Sequence, residues 1–452
     1  MKNTGKRSKS NWWIPGSILV FIALLYIALL TALPKYAGRM PFFAALFIID
    51  WLVFADLRSF RNKLPRIASV SFGIFWWAPV TLLLVFLMGS VLVSLTHWPT
   101  WLRIYLPGVA VIALISKIAL FAGLLPSYLL RLLSLIPFGR KSVMPGFFRK
   151  AGIRFRNTGI ALSALVLILL IMGSTWGVYR FKVTETEIGI RNLPPDLEGL
   201  RIVQLSDIHL GSWVSAKPLA RAVTLVQGLD PDMVVFTGDL VNYSTSEVAG
   251  FESVLAGLKA PLGVYAILGN HDYGDYTSWR NRADKEKNLA DLEAFYKTIG
   301  WNLLRNQSVI IRKDSTEFLL SGVENWSATS RFRKYGDMKK TLQGAEMKSL
   351  NILLSHDPTH WDTEVRAKYP WFDLTLSGHT HGMQMGIDIP GIRWSPAEFL
   401  YEEWGGLYTN PGKTPDEEGY LYVNAGLGHI GYPGRIGIRP EISLLILKNI
   451  QE

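Results

Sequence analysis

Five short polar clusters between Asp207 and His381 hold the side chains that could perform chemistry. They are Ser206-Asp207-Ile208-His209, Gly238-Asp239, Gly269-Asn270-His271-Asp272, His356-Asp357 and Gly378-His379-Thr380-His381. Carboxylate, amide and imidazole groups without sulfur suit one or two divalent ions such as Mn, Fe or Zn. A lone histidine usually has a structural role, but five of the eight histidines fall in these clusters. The sequence therefore predicts a metal site.

Each cluster follows a short apolar run that is typical of a buried strand. The runs are Arg201–Leu205, Met233–Thr237, Val264–Leu268, Asn351–Ser355 and Phe372–Leu376. Short runs with β-branched residues, bounded by Gly, Asp and Asn, indicate strands. In an α/β sheet, ligands bind where the strands pass into loops. We therefore expect the five clusters to converge on one edge.

The order of the clusters resembles the calcineurin-like metallophosphoesterase superfamily, whose signature is D-x-H, G-D, G-N-H-[DE], H and G-H-x-H. The stretches Leu205–Gly211, Ser377–Gln384 and Asn424–Gly428 are similar to its membrane-associated YkuE- and YaeI-like branch. The layout of the whole chain is closer to transmembrane proteins with a metallophosphoesterase domain. The resemblance covers about residues 183–452, and it implies an α/β sandwich of two sheets flanked by helices.

The resemblance also implies a site for two divalent metal ions. Its ligands would be Asp207, His209 and His381 for the first ion, Asn270, His356 and His379 for the second, and Asp239 as the bridge. Two close ions need an anionic bridge, and together they activate water and neutralise phosphate oxygens. His271 follows a ligand directly and fits a general acid for the leaving group. Asp272 would orient its imidazole, and helix capping is the alternative for Asp272.

Three further residues are candidates for substrate binding. Asn242 follows the bridging aspartate closely, where it could support the site. His429 lies in the glycine-rich loop 426–434, whose amides could approach a substrate, and Arg435 just beyond it could clamp a phosphate.

An aromatic segment, residues 392–409, lies between the last histidine cluster and that loop. Its residues Trp394, Phe399, Leu400, Tyr401 and Trp404 predict a lip that dips into a membrane interface or holds an acyl chain. Packing of a long loop into the core is the alternative.

Charge is distributed unevenly along the chain. Residues 1–181 hold 20 Lys and Arg but only Asp50 and Asp56 as acids, a net charge of +18. Since the whole chain carries +11, residues 182–452 carry −7. A nucleic-acid site should be basic on the folded domain, so we expect no nucleic-acid partner. Nothing in the sequence indicates a protein partner. The absence of cysteine excludes disulfides, thiolate nucleophiles and cysteine-ligated zinc.

Five apolar segments approach the roughly 20 residues that span a bilayer. They are about 12–33, 41–57, 71–95, 104–125 and 160–178. The second is the shortest and contains both acids. The sequence thus predicts a multi-pass α-helical membrane domain over residues 1–181, followed by an α/β metallophosphoesterase domain over residues 182–452.

Lysine and arginine alternate between rich and poor loops, which indicates orientation. The rule places the N-terminus and loops 58–67 and 126–159 in the cytoplasm, and the metal domain on the outer face of a plasma or inner membrane. If segment 41–57 does not span, the orientation inverts. Asp50 and Lys117 lie inside predicted spans, where they would either pair with each other or extend toward headgroups.

These observations predict a membrane-anchored, metal-dependent phosphoesterase or phosphodiesterase. Because its site would be tethered to a bilayer, the favoured substrate is a phospholipid or a lipid-linked phosphodiester. One alternative is a soluble nucleotide or phosphoprotein substrate. Another is a metal-bound binding module without catalysis. A third is a membrane half that transports or senses, with the hydrolase as an accessory.

Overall fold

The computed structural model describes residue 27 and residues 40–133, 144–410 and 419–450. The chain divides into two units. The first comprises the described residues up to Thr81 together with Ala113–Val166, and the second comprises Leu82–Ile112 together with the described residues from Leu167 onward. Except for Ile27, the predicted span at 12–33 lies outside the described residues.

Long apolar helices precede the α/β domain. They are α1 Met40–Asp56, α3 Arg66–Leu92, α4 Thr100–Leu133 and α5 Met144–Thr175, and a short α2 at Arg58–Arg61 follows α1. Three stretches in the described part are long and apolar enough to cross a membrane: Arg66–Ser90, Thr100–Leu130 and Ala151–Tyr179. The predicted apolar helices before the α/β domain are thereby confirmed. The count of five stays a prediction, since α1 has 17 residues.

The first unit contains a buried ion pair between helices. Lys117 Nζ donates to Asp50 Oδ2 at 2.8 Å and to the carbonyl of Trp76 at 2.5 Å. The two charged side chains are 11% and 2% exposed, respectively. The ammonium also lies 4.6 Å from the centroid of the Trp76 ring. The predicted pairing of Asp50 with Lys117 is therefore confirmed.

The second unit contains two six-stranded sheets, as the sequence predicts. The strands are β1 Lys182–Arg191, β2 Arg201–Leu205, β3 Met233–Phe236, β4 Val264–Ala266, β5 Asn302–Leu303, β6 Gln307–Lys313, β7 Thr316–Gly322, β8 Asn351–Leu354, β9 Leu374–Ser377, β10 Ile387–Ile389, β11 Ile392–Trp394, β12 Gly406–Asn410, β13 Gly419–Val423 and β14 Glu441–Ile450. The first sheet has the order β1-β14-β2-β3-β4-β5 and the second β12-β13-β9-β8-β7-β6, while β10 and β11 form a separate hairpin. The helices are α6 Lys217–Gln227, α7 Glu252–Leu255, α8 Arg282–Thr298, α9 Met338–Thr341 and α10 Arg366–Lys368.

The core lies between the sheets and beneath the helices. Ile202 and Val235 of the first sheet pack in one cluster with Phe318 and Ile352 of the second. The opposite face of the first sheet packs in another cluster with residues of α6 and α8. Because both faces are covered, β3, β8 and β9 are buried at every position, and the central strands are rich in apolar residues, as parallel strands in α/β proteins usually are. The polar clusters after β2, β3, β4, β8 and β9 are thereby held by buried strands.

Candidate metal centre

Most of the predicted ligands project from strained backbone positions at strand ends. Five of the predicted ligands have positive φ angles: Asp207 at 52°, His209 at 51°, Asp239 at 61°, His379 at 72° and His381 at 51°. A non-glycine residue in this region costs about 1–3 kcal/mol and persists where the surroundings impose it, often at a functional site. The sharp turns direct side chains from neighbouring strands into one place.

Asp207, His209 and His381 form the first group of potential metal ligands. Their ligand atoms lie within 4.8 Å of one another, and all three residues are buried. His381 Nε2 lies 3.1 Å from His209 Nε2 and 3.2 Å from Asp207 Oδ1. Asp207 Oδ2 accepts the backbone N–H of His379, whereas Oδ1 has no hydrogen-bond partner among the described residues. Burial by itself raises the pKa of Asp207. The interaction with His381 and those with other nearby groups together outweigh burial, so the pKa of Asp207 is lowered overall.

Asp239, His356 and His379 form the second group. His356 Nε2 lies 3.2 Å from His379 Nδ1 and 3.2 Å from Asp239 Oδ2. The other ring nitrogen of His356 lies 2.7 Å from the carbonyl of Thr237, and an N–H donated there leaves Nε2 free for a metal ion. Burial lowers the pKa of His356, but the charge and hydrogen bond of Asp239, the charge of Asp207 and the contact with the Thr237 carbonyl together outweigh burial and raise the pKa to about 10. A metal ion would displace this proton on binding.

Asp239 connects the two groups. Its Oδ2 lies 3.7 Å from His209 Nε2 of the first group and 3.2 Å from His356 Nε2 of the second. The other oxygen accepts the backbone N–H of His271 at 2.8 Å, which holds the carboxylate in place. One oxygen is thus near imidazole nitrogens from both groups, as a bridging ligand requires.

Asn270 supplies a neutral oxygen at the same edge. Its Nδ2 donates to the hydroxyl of Tyr276 at 2.9 Å. Its buried Oδ1 has no hydrogen-bond partner among the described residues, an arrangement that costs roughly 1–3 kcal/mol. One cation would satisfy Asp207 Oδ1 and a second would satisfy Asn270 Oδ1, each together with imidazole nitrogens. The donor set therefore fits divalent metal ions.

The carbonyl of Asn242 contacts the imidazole of His271. His271 Nδ1 lies 2.8 Å from that oxygen, and the ring stacks on Tyr276 with a centroid separation of 4.1 Å. The predicted orienting role of Asp272 is wrong. Both carboxylate oxygens of Asp272 accept backbone N–H groups, which belong to Asp239, Leu240, Val241 and Gly269. Backbone amides from two loops surround the carboxylate of Asp272, and its hydrogen bonds to them hold the two loops together.

His429 and Arg435, two of the tentative substrate contacts, are buried at 5% and 2% exposure. The guanidinium of Arg435 donates to the carbonyls of Gly428 and Ala425, and Nη2 lies 3.3 Å from His381 Nδ1. Arg435 therefore supports the loop and a predicted ligand. Burial lowers the pKa of His429 to about 3. A substrate could reach either group only after the loop moves. Asn242, the third candidate, is also buried, and its Nδ2 donates to Ser212 Oγ.

Two further residues lie near the site, around His379, although no motif in the sequence pointed strongly to them. The hydroxyl of Tyr401 lies 3.1 Å from His379 Nε2, and Asp357 Oδ2 lies 3.5 Å from the same nitrogen. A carboxylate near the outer nitrogen of a metal-binding histidine fixes its orientation. The position of Asp357 next to His356 was a signal for this role. Nothing in the spacing indicated Tyr401.

A second unpredicted contact reaches the site from α4. Glu247 Oε2 accepts the N–H groups of Asn242 at 2.6 Å and Tyr243 at 3.4 Å, while Oε1 accepts from Arg103 Nη1 at 2.9 Å. The side chains of Arg103 and Glu247 are 7% and 1% exposed. Burial raises the pKa of Glu247 to about 6, and the charge of Arg103 opposes that rise. The loop that orients His271 is thus anchored by an ion pair.

Comparison with known proteins identifies the family. The family model of calcineurin-like phosphoesterases matches residues 200–383. "Transmembrane protein with metallophosphoesterase domain" from Danio rerio is 34% identical over 303 residues, which are 65% of this chain and 63% of that protein. The metallophosphoesterase YkuE of Bacillus subtilis is 28% identical, over 63% of this chain and 94% of its own.

A third relative carries a more specific name. "UDP-2,3-diacylglucosamine pyrophosphatase LpxG" of Chlamydia muridarum is 31% identical over 51% of this chain and 79% of its own. The chain spans slightly under two thirds of the Danio rerio protein. The resemblance seen in the sequence is confirmed: the chain belongs to the calcineurin-like phosphoesterase family, and it contains candidate membrane-spanning helices.

Proposed function

We propose that this protein is a membrane-anchored phosphohydrolase that holds two divalent ions, chosen from Mn, Fe and Zn, and cleaves a lipid-linked phosphoester or phosphoanhydride. The observation that carries the proposal is the position of Asp239 Oδ2, which lies 3.7 Å from His209 Nε2 and 3.2 Å from His356 Nε2. A carboxylate oxygen between two imidazole groups suits a bridge between two cations.

The residues of the site would have separate roles in metal binding, proton transfer and positioning. Asp207, His209 and His381 would hold one ion, Asn270, His356 and His379 the other, and Asp239 both. Two bound ions would activate a water molecule and neutralise phosphate oxygens. His271 would protonate the leaving oxygen, with its ring held by the carbonyl of Asn242 and by stacking on Tyr276. Asp272 would keep the two loops in register through their amides.

A lipid-linked substrate is supported by the membrane helices and by one relative. The stretches Thr100–Leu130 and Ala151–Tyr179 are apolar and long enough to span, and parts of both belong to the same unit as the centre. LpxG is named a pyrophosphatase for a diacylated, nucleotide-linked glucosamine. A site tethered to a bilayer meets such molecules at high local concentration.

The decisive experiment compares three substrates with the full chain in lipid nanodiscs and each metal in turn. They are a soluble aryl phosphodiester, a nucleoside diphosphate, and a pyrophosphate linked to an acylated sugar. The proposal is supported if the native protein hydrolyses the acylated substrate and the Asp239→Asn variant does not. The control variant Asp314→Asn, in an exposed turn, should retain this activity. Preference for the nucleotide would favour a soluble substrate. Stoichiometric metal without hydrolysis of any substrate would indicate a binding module.

We further propose that the catalytic domain faces the outer side of the membrane. The alternation of positively charged loops supports this orientation. The chain has no cysteine, so a Ser278→Cys variant, with its new thiol at an exposed position, reports sidedness cleanly. Labelling of intact cells by a membrane-impermeant maleimide is expected. Labelling only after lysis would invert the orientation and remove one predicted span.

A further inference from the structure

The hairpin of β10 and β11 presents an apolar face to the surroundings. Its register pairs Ile387 with Trp394 and Ile389 with Ile392. Since side chains of a strand alternate between faces, these four lie on the same side. They are 45%, 41%, 55% and 55% exposed in that order. An isolated two-stranded hairpin is only marginally stable in water. We call this side the apolar hairpin face.

A turn beyond the hairpin extends this apolar surface. Phe399 is 79% exposed and Leu400 is 62% exposed. The rings of Trp394 and Phe399 have centroids 6.4 Å apart, so the turn adjoins the hairpin. Single exposed apolar residues are ordinary, but a contiguous group of six large ones indicates an interaction site.

The opposite face of the hairpin is fastened to the catalytic domain. Lys182 Nζ donates to Asp388 Oδ2 at 2.6 Å. Arg393 donates to the carbonyl of Gly405 at 3.0 Å, and its guanidinium lies 5.0 Å from the centroid of the Trp404 ring. These contacts determine which side of the hairpin faces outward. These contacts with the catalytic domain therefore hold the apolar hairpin face outward.

The same contacts place the hairpin beside the end of the last candidate span, Ala151–Tyr179. Lys182, the first residue of β1, follows the end of that span at Tyr179 after only Arg180 and Phe181. The base of the hairpin is also close to the span. Gly386 N–H donates to the carbonyl of Ile436 at 2.9 Å, and the neighbouring Arg435 N–H donates to the carbonyl of Gly173 at 3.2 Å.

The side chains at this end of the span suit the boundary of a bilayer. Trp176 is 58% exposed, and the guanidinium of Arg180 lies 4.0 Å from the centroid of its ring. Tryptophan and basic residues concentrate where a span leaves the hydrocarbon. The hairpin is tied to residues on either side of this boundary, at Gly173 and Lys182. The hairpin therefore lies at the depth of the lipid headgroups along the span.

We propose that the apolar hairpin face and the Phe399–Leu400 turn insert into the interfacial layer of the bilayer beside the last span. Aromatic and branched aliphatic side chains at headgroup level gain the free energy of leaving water without crossing the membrane. The charged residues of the hairpin stay on the side that faces the catalytic domain. This part of the inference needs only that the span lies in a membrane.

The inserted turn leads directly to the metal centre. Tyr401 follows Leu400, and its hydroxyl lies 3.1 Å from His379 Nε2. An acyl chain that remains in the bilayer beside Leu400 would leave its phosphate group close to the centre. This second part rests on the proposed function, and it makes the turn a selector for substrates that stay in the membrane.

Cysteine labelling tests the insertion independently of catalysis. Ile389→Cys is labelled with an environment-sensitive fluorophore in the full chain in nanodiscs. The matched control is Ile310→Cys, where Ile310 is 43% exposed on the edge strand β6. We expect spin-labelled lipids to quench the label at 389 and aqueous iodide to spare it, with the reverse at 310. Quenching by iodide at both positions would overturn the insertion. Protection from both quenchers at 389 would also overturn it, because protein would then cover the face.

Enzyme kinetics test the link to the substrate. The variants Phe399→Ser and Leu400→Ser should lower kcat/KM for a bilayer-resident acylated pyrophosphate by about tenfold, since each removes a large apolar contact. Hydrolysis of the soluble aryl phosphodiester should stay within about twofold. Equal losses of kcat/KM on both substrates, or no loss on either, would overturn the proposed role of the turn as a selector. If the native protein hydrolysed neither substrate, the proposed function would fail while the quenching result would stand.

Discussion

Replacing Arg103 by methionine should disturb the centre from a helix that contributes none of the proposed ligands. Arg103 pairs with Glu247, whose other oxygen accepts the N–H groups of Asn242 and Tyr243. The carbonyl of Asn242 in turn contacts the imidazole of His271. Arg103 is thus a positioning residue that acts through Glu247 and the loop after β3.

The burial of the pair determines the size of the effect. Because the side chains of Arg103 and Glu247 are 7% and 1% exposed, removing one partner leaves a charge without compensation, which costs about 3–5 kcal/mol. The variant Arg103→Met/Glu247→Gln contains no unpaired charge and should recover most of that loss. A double-mutant cycle should give a coupling free energy of about 3 kcal/mol. For an exposed pair such as Arg312 with Glu317, Arg312→Met should cost less than about 1 kcal/mol.

The pKa of Glu247 gives the effect a pH signature. Burial raises this pKa from 4.5 to about 6, so protonation of Glu247 is easier in the folded state. Its contribution to stability is then full below pH 4.5 and is lost as the pH rises through about 6. Without Arg103 that loss grows, since the guanidinium opposes the rise in pKa. Arg103→Met should therefore be most destabilising near pH 8 and least near pH 5.

Two measurements check the reasoning. Thermal unfolding midpoints between pH 5 and pH 8 give the stability profile of the single and double variants. Hydrolysis of aryl phosphodiesters with good and poor leaving groups gives the effect on His271, because a poor leaving group depends more on the general acid. We expect kcat to fall about tenfold for the poor leaving group, a fraction of the 10²–10⁴ that general acids contribute. Three results would refute the coupling: additive effects of the two substitutions on the free energy of unfolding, a stability profile that does not change with pH, or equal losses of kcat for good and poor leaving groups.

Three further outcomes are expected. Asp239→Asn should reduce bound metal below two ions per chain by elemental analysis and lower activity by at least about a thousandfold; full metal content would contradict the bridge. Burial lowers the pKa of His360 to about 3, so its contribution to stability is full above pH ~6.5 and is lost as the pH falls below that value, by about 2 kcal/mol at pH 5. His360→Phe should therefore flatten the acid side of the unfolding profile, and an unchanged slope would count against the burial argument. Exchanging Asp50 and Lys117 should restore the folded yield that either single reversal lowers, since the two pair at 2.8 Å; no rescue would argue against the pair as a stabilising contact.

The sequence was sufficient for the two-sheet sandwich and for the convergence of the polar clusters. Each cluster follows a strand that is rich in apolar residues, and local chain direction places residues at the end of such a strand on the edge of the sheet. Asp207 and His209 could thus be expected near Asp239, and His356 near His379. The ion pair of Asp50 with Lys117 was also predictable, because few charges lie within the apolar segments.

Contacts between distant elements could not be predicted in this way. Asp272 was expected beside His271, its neighbour in sequence, but the fold surrounds its carboxylate with amides from two loops. Arg435 was expected to face a substrate, but it is buried against carbonyls of its own loop. The sequence does not encode these partners locally, because a buried polar group binds whichever complementary atoms the packing brings to it.

The sequence by itself determined which residue types follow each strand, and therefore the family, the fold and the composition of the candidate metal centre. The tertiary structure decided what those residues contact. It placed Glu247 of a loop against Arg103 of a helix, and it placed an apolar hairpin beside the end of the last candidate span. Strand and helix patterns depend on near neighbours along the chain, whereas these contacts depend on how separate elements pack, which the spacing of residues does not specify.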